Sequence, residues 1–133
     1  MAETVCVPPD QVEYIWDEVK GWIKTALERG DLGKFNDVED DVLSGNALLW
    51  LAYQEPKIVG AAVTKLGDTE KSKVCLIVAC GGAGIAHWLS GIEKIEEYAK
   101  EQGCDVVRIL GRKGWLRLLK DYSAPKAILE RRL

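Results

Sequence analysis

The chain has 133 residues, 47% of them hydrophobic and 29% charged, and carries a formal net charge of -3. That length and composition predict one globular domain over residues 1–133, with a core large enough to need no disulfide or metal staple. The acidic balance excludes binding to nucleic acid by general electrostatic attraction, and no run of about 18 apolar residues is present to cross a membrane as a helix.

The first residues, Met1 to Val7, lack a basic stretch followed by an apolar core, so no secretory signal is read there and a cytoplasmic location is expected. Pro8-Pro9-Asp10 marks the entry to a helix, with proline in the first turn. From Gln11 to about Glu28, Val12, Ile15, Trp16, Val19, Trp22, Ile23, Ala26 and Leu27 recur at steps of three and four, which is the stripe of an amphipathic helix. Gly30 is the expected stop. A second short helix is expected over Val38–Leu43, capped by Asn36 or Asp37 and ended by Ser44-Gly45-Asn46. Its acidic start (Asp37, Glu39, Asp40, Asp41) reads as a solvated first turn favoured by the helix dipole, or alternatively as an attractor for a cationic amine.

Three strand-length apolar runs follow: Ala47–Tyr53, Ile58–Leu66 and Lys73–Cys80. The polar turns between them are short, so the strands should form an antiparallel meander. Their nearly continuous apolarity predicts a sheet covered on both faces. After Gly81 the helical period returns, through Ile85, Trp88, Leu89, Ile92, Ile95 and Ala99, and it stops at Gln102-Gly103. Val106–Leu110 reads as a fourth strand, Trp115–Asp121 as a short helix and Ala127–Glu130 as a last strand.

The four cysteines, Cys6, Cys75, Cys80 and Cys104, do not stand at metal-ligand spacing and read as reduced, packed thiols. A single histidine, His87, cannot build a multi-histidine metal site, and no metal is expected. Arg108, Arg112 and Lys113 gather near a strand end, either as a solvated face or as a phosphate contact.

The chemistry concentrates where the strand ending at Cys80 runs into Gly81-Gly82-Ala83-Gly84-Ile85-Ala86 and then a helix. The first N–H groups of a helix lack partners within it, and the helix dipole adds positive potential there. Glycines let a phosphate approach such a corner closely, and they also serve simply to turn a chain tightly. No Gly-Lys-Ser/Thr follows, so this is not a Walker loop, and the preceding meander argues against a dinucleotide-binding βαβ unit.

From the first helix to the C-terminus the element order resembles the GNAT acetyltransferase fold. The resemblance implies an α/β domain of the α+β type, with a mixed central sheet that includes the antiparallel meander and about four flanking helices. In that family the acetyl-CoA loop reads Gln/Arg-x-x-Gly-x-Gly/Ala; here Gly84 and Ala86 match, and Gly81 stands in place of Gln or Arg. The resemblance therefore implies acetyl-CoA as cofactor, held by Cys80, Gly81, Gly82, Ala83, Gly84, Ile85 and Ala86. The hairpin whose second strand begins Ile58-Val59-Gly60 is similar to the family's central hairpin. Gly111–Trp115 followed by Leu118–Tyr122 resembles small GNAT-like proteins of bacteriophages and prophages, which would place the protein in a host cytoplasm.

Other positions depart from the family. Its thiolate-protonating tyrosine aligns with Leu119, leaving Tyr122, displaced by most of a helical turn, as the candidate catalytic residue. Ser123-Ala124 replaces the family's Gly-Phe, and the strand Val74–Cys80 holds no acidic residue to serve as base. Two functions follow: an N-acyltransferase whose partner is a small amine or a protein amino group, or a GNAT-fold binding or structural protein without catalysis, whose partner is another protein.

Overall fold

The structure, a computed structural model, describes residues 3–83, 89–111 and 113–133. A five-stranded sheet runs in chain order: β1 (Glu3–Cys6), β2 (Leu48–Gln54), β3 (Lys57–Asp68), β4 (Lys73–Gly82) and β5 (Val106–Ile109). The first four strands pair antiparallel, the turns between β2, β3 and β4 being too short for a crossover, and β5 joins β4 in parallel. The parallel step needs a crossover, and α3 (Leu89–Glu101) supplies it.

The helical period of the first forty residues becomes α1 (Val12–Gly30) and α2 (Phe35–Ser44). Val12, Trp16, Val19, Ile23 and Leu27 of α1 are buried, together with Val38 and Val42 of α2, Leu49 and Leu51 of β2, and Ala61 and Val63 of β3. The strand neighbours of those residues point the other way. Trp50, Ala52, Ala62, Cys75 and Ile77 pack with Ile92, Ile95 and Ala99 of α3 and with Leu119. The sheet is thus filled on both faces, which explains why its strands read as nearly unbroken apolar runs. Polar anchors brace the layers. The Trp16 indole stacks on Phe35 and donates to Glu39 at 2.7 Å, tying α1 to α2. Trp50 donates to the buried Thr64 hydroxyl at 2.9 Å.

The structure departs from the sequence expectations at the ends of elements. Glu3–Cys6, not expected as a strand, pairs with the edge of β2 from Glu3↔Tyr53 to Cys6↔Trp50. The expected last strand, Ala127–Glu130, is not formed; Ile128 is 63% and Leu129 94% exposed, with no ladder partner among the described residues. Instead of a helix over Trp115–Asp121 there is a 3-10 helix, Lys113–Arg117. Among the described residues three α-helices flank the sheet, with a second 3-10 turn at Pro9–Gln11. At the end of α1 the left-handed cap is Asp31 (φ 51°), whose N–H reaches the Leu27 carbonyl, and Gly30 is the last helical residue. Helix α2 begins a turn earlier than expected, after Lys34, with no side-chain cap, and Gly45 closes it at φ 85°.

Candidate active site

Strands β4 and β5 part company half-way along β4. Their pairs run from Val74↔Val106 to Ile77↔Ile109, and the last link is the Leu110 N–H donating to the Ile77 carbonyl at 3.2 Å. Beyond that point β4 continues to Gly82 with β3 alone as its strand partner. The ladder to β3 slips at the same place: Thr64 pairs with Ile77 but Val63 pairs with Ala79, so Val78 is an extra residue. A bulge bends its strand and raises the local twist, which swings the end of β4 away from β5.

The divergence opens a cleft of about 380 Å³. One wall is α1, with Trp22, Ala26 and Arg29; another is β4, with Ile77, Ala79 and Cys80; the third is the end of β5, from Ile109 to Gly111, closed by Trp115. Trp22, Ala26 and Ala79 belong to the core on the α1 side of the sheet, whereas Ile77, Ile109 and Trp115 belong to the core on the α3 side. The cleft therefore passes between the strands, through the sheet. Arg29, exposed in the last turn of α1, is the charged side chain in its lining among the described residues.

No protein-family model and no curated protein matches the sequence. Solved structures do match in shape. A predicted acetyltransferase from Clostridium acetobutylicum, solved with acetyl-CoA, superposes with a TM-score of 0.69 at 11% identity, over 99% of this chain and 96% of that one. A GNAT family acetyltransferase from Staphylococcus aureus gives 0.66 at 14% identity, over 99% and 98%. An aminoglycoside acetyltransferase from an uncultured soil metagenomic sample, in complex with sisomicin, gives 0.67 at 12% identity, over 99% and 95%. The fold is the GNAT acetyltransferase fold.

Within this GNAT fold, the residues singled out in the sequence divide into three groups. Cys80, Gly81 and Gly82 line the cleft. Ala83 follows them, its N–H donating to the Val59 carbonyl at 2.8 Å. Gly84, Ile85 and Ala86, with His87, Trp88 and Arg112, lie outside the described residues.

Two of the glycines serve close backbone packing. A Cβ on Gly81 would stand 2.8 Å from the Trp22 carbonyl oxygen of α1. Gly82, at φ +146°, would bring a Cβ to 2.3 Å from the Val59 carbonyl oxygen of β3. Cys80 is held as a neutral thiol, since burial pushes its pKa up to about 12.

Tyr122 is not among the cleft residues. It packs on the α3 side, and its hydroxyl donates to Glu96 at 2.8 Å. Burial first, and then that bond, raises its pKa well above the usual phenol range. Leu119, which takes the place of the family's tyrosine, is a buried core residue. Of the acidic residues at the start of α2, Glu39 accepts from the Trp16 indole and Asp41 pairs with Lys65 at 2.8 Å, while Asp37 and Asp40 are exposed.

Sequence reasoning missed the α1 wall. Trp22 and Ala26 were absorbed into the core stripe and Arg29 was passed over. The spacing 22, 26, 29 does mark a second line beside the buried one, but periodicity cannot say that its neighbour is a gap between strands.

Proposed function

We propose that the protein is an acetyl-CoA-dependent N-acyltransferase acting on an amine. The observation that supports this reading is the split between β4 and β5: a slot through the sheet, lined by apolar side chains together with Thr25 and Arg29 and bordered by strand backbone that β5 does not pair. The slot suits an acyl thioester and its slender amide-bearing arm. Ile77, Ala79, Ile109 and Trp115 offer apolar contact, and the backbone of Val78–Cys80 offers amide groups along one edge. The phosphates would fall to the segment from Gly82 to Ala86, which leads into α3.

Acetyl-CoA would supply the acetyl group as a thioester. The chain's own part is to orient that carbonyl, keep water out and hold a hydrogen-bond donor where negative charge develops, which backbone N–H groups near the Val78 bulge can do. With its thiol protonated at neutral pH, Cys80 is not a nucleophile, so the acetyl group passes directly to the acceptor. The acceptor amine has to be neutral when it attacks; the described residues of the cleft lining include no carboxylate or imidazole, and His87 lies outside the described residues.

Melting the protein with acetyl-CoA tests this reading. A ligand at about 100 times its dissociation constant adds roughly 2.7 kcal/mol of stability, and Gly84→Val should remove that gain. Free thiol release with an amine panel then reads turnover. If Tyr122 is the acid, Tyr122→Phe lowers kcat by about 10²–10⁴ while acetyl-CoA still stabilises the fold. No melting shift at millimolar acetyl-CoA would overturn the proposal.

A second reading, a GNAT-fold binding protein without catalysis, draws support from the same lining and from the Tyr122 hydroxyl being engaged with Glu96. Stabilisation by acetyl-CoA with no thiol release from any amine, or a stable protein complex formed without coenzyme A, would favour it.

A further inference from the structure

Helix α1 carries the cations Lys20, Lys24 and Arg29, and the first two are occupied. Lys20 pairs with Asp17 at 2.9 Å, and the Lys24 ammonium lies over the Phe35 ring, 5.9 Å from its centre. Among the described residues the Arg29 guanidinium has no ion pair or hydrogen bond. Its own helix offers none, because the preceding turn, where a carboxylate would reach it, holds Thr25 and Ala26. Arg29 nevertheless lines the cleft, on the same wall as Trp22, Thr25 and Ala26. The cleft therefore has a fixed positive charge on its α1 side, and no described lining residue is a carboxylate that could neutralise it.

The two mouths of the cleft are unlike each other. Ile109 and Trp115 border it on the α3 side, and Trp22, Ala26 and Arg29 on the α1 side. A thioester whose phosphates lie on the segment leading into α3 fills the slot from the α3 side. The acceptor must reach the carbonyl from a direction that this arm leaves open, which is the α1 mouth. The volume of about 380 Å³ also has to take the thioester end, so the room left suits a small acceptor.

We infer that the acceptor is a small amino carboxylic acid, and that Arg29 holds its carboxylate while its amine faces the thioester. The assignment rests on the reading of the cleft as an acyl-transfer site. The planar guanidinium fork matches the two oxygens of a carboxylate, and Thr25, one turn back on the same wall, adds a hydroxyl. In the transfer the neutral amine nitrogen forms a bond to the acyl carbon and the carbon–sulfur bond breaks. The amine's proton ends on the leaving thiolate, directly or through water. The carboxylate is unchanged throughout, so Arg29 is a specificity residue that orients the acceptor. A polycationic amine meets like charge at this mouth.

Thiol release by the full chain with acetyl-CoA tests the assignment, using glycine, β-alanine and γ-aminobutyrate, each against its own carboxamide, and spermidine. At least one acid should exceed its amide by about 10- to 100-fold in kcat/KM, with the difference lying in KM. Arg29→Ala should abolish that preference and Arg29→Lys should keep part of it, while acetyl-CoA still raises the melting temperature of both. Titration calorimetry of the cofactor-free protein with N-acetyl-β-alanine and N-acetyl-β-alaninamide reads the same contact without turnover, and only the acid should lose affinity in Arg29→Ala. A preference that survives Arg29→Ala, with only the melting temperature lowered, would show Arg29 serving the end of α1 alone and overturns the assignment. Equal use of acids and amides, a preference for spermidine, or no turnover of any amine overturns it as well. In those cases a melting shift with acetyl-CoA leaves cofactor binding standing, whereas no shift sinks both.

Discussion

At Gly81 a single missing carbon sets how closely α1 can approach the sheet. A methyl there would sit 2.8 Å from the Trp22 carbonyl oxygen and 3.2 Å from its carbon and Cβ, all of them parts of a helix that cannot rotate away. Gly81→Ala is therefore expected to push α1 off β4 and lower stability by about 1–3 kcal/mol, read as a shift in the urea midpoint. The residue that distinguishes this chain from the GNAT loop pattern thus has a packing reason to be glycine. Sequence reasoning correctly marked the spot as a tight junction. The contact that demands glycine comes from Trp22, far back along the chain, so no local pattern could reveal it.

Elements were legible where period and length agreed. The stripe of α1 and the three apolar runs became α1, β2, β3 and β4 with ends shifted by a residue or two, because burial on the expected faces rewards that periodicity. The short outer pieces were not legible. β1 is a strand because the edge of β2 receives it, whereas Ala127–Glu130 joins no ladder and stays extended and exposed; for a four-residue segment the partner outweighs propensity. Within α1, Gly21 is exposed, and a Cβ there would meet nothing within 4 Å. Gly21→Ala should therefore raise stability by roughly 0.5–1 kcal/mol, since the helix gains a better former at no steric cost. Thermal melting measures it, and a loss would mean that this face of α1 is covered in solution.

For the molecule as a whole, the buried thiols make stability depend on pH in one direction. Burial raises the Cys80 pKa from 9.0 to about 12, and burial followed by the nearby Cys104 raises that of Cys75 to about 11. Between those limits the unfolded chain releases protons that the folded chain keeps, so folding stability is whole below about pH 9 and falls as pH climbs toward 11–12. The melting temperature should drop across that range, and Cys80→Ala should flatten the fall relative to the parent protein. The fold could be read from the sequence because it is a sum of local periods. The cleft could be read only in part, because it is a gap between two strands that takes its third wall from a distant helix. Strict chain order in the sheet has one more effect. With β1 at one margin and β5 at the other, four spacings of about 4.8 Å put the two roughly 19 Å apart. Polypeptide attached ahead of Glu3 therefore hangs from the margin remote from the cleft mouth, so a purification handle or surface tether belongs at that end.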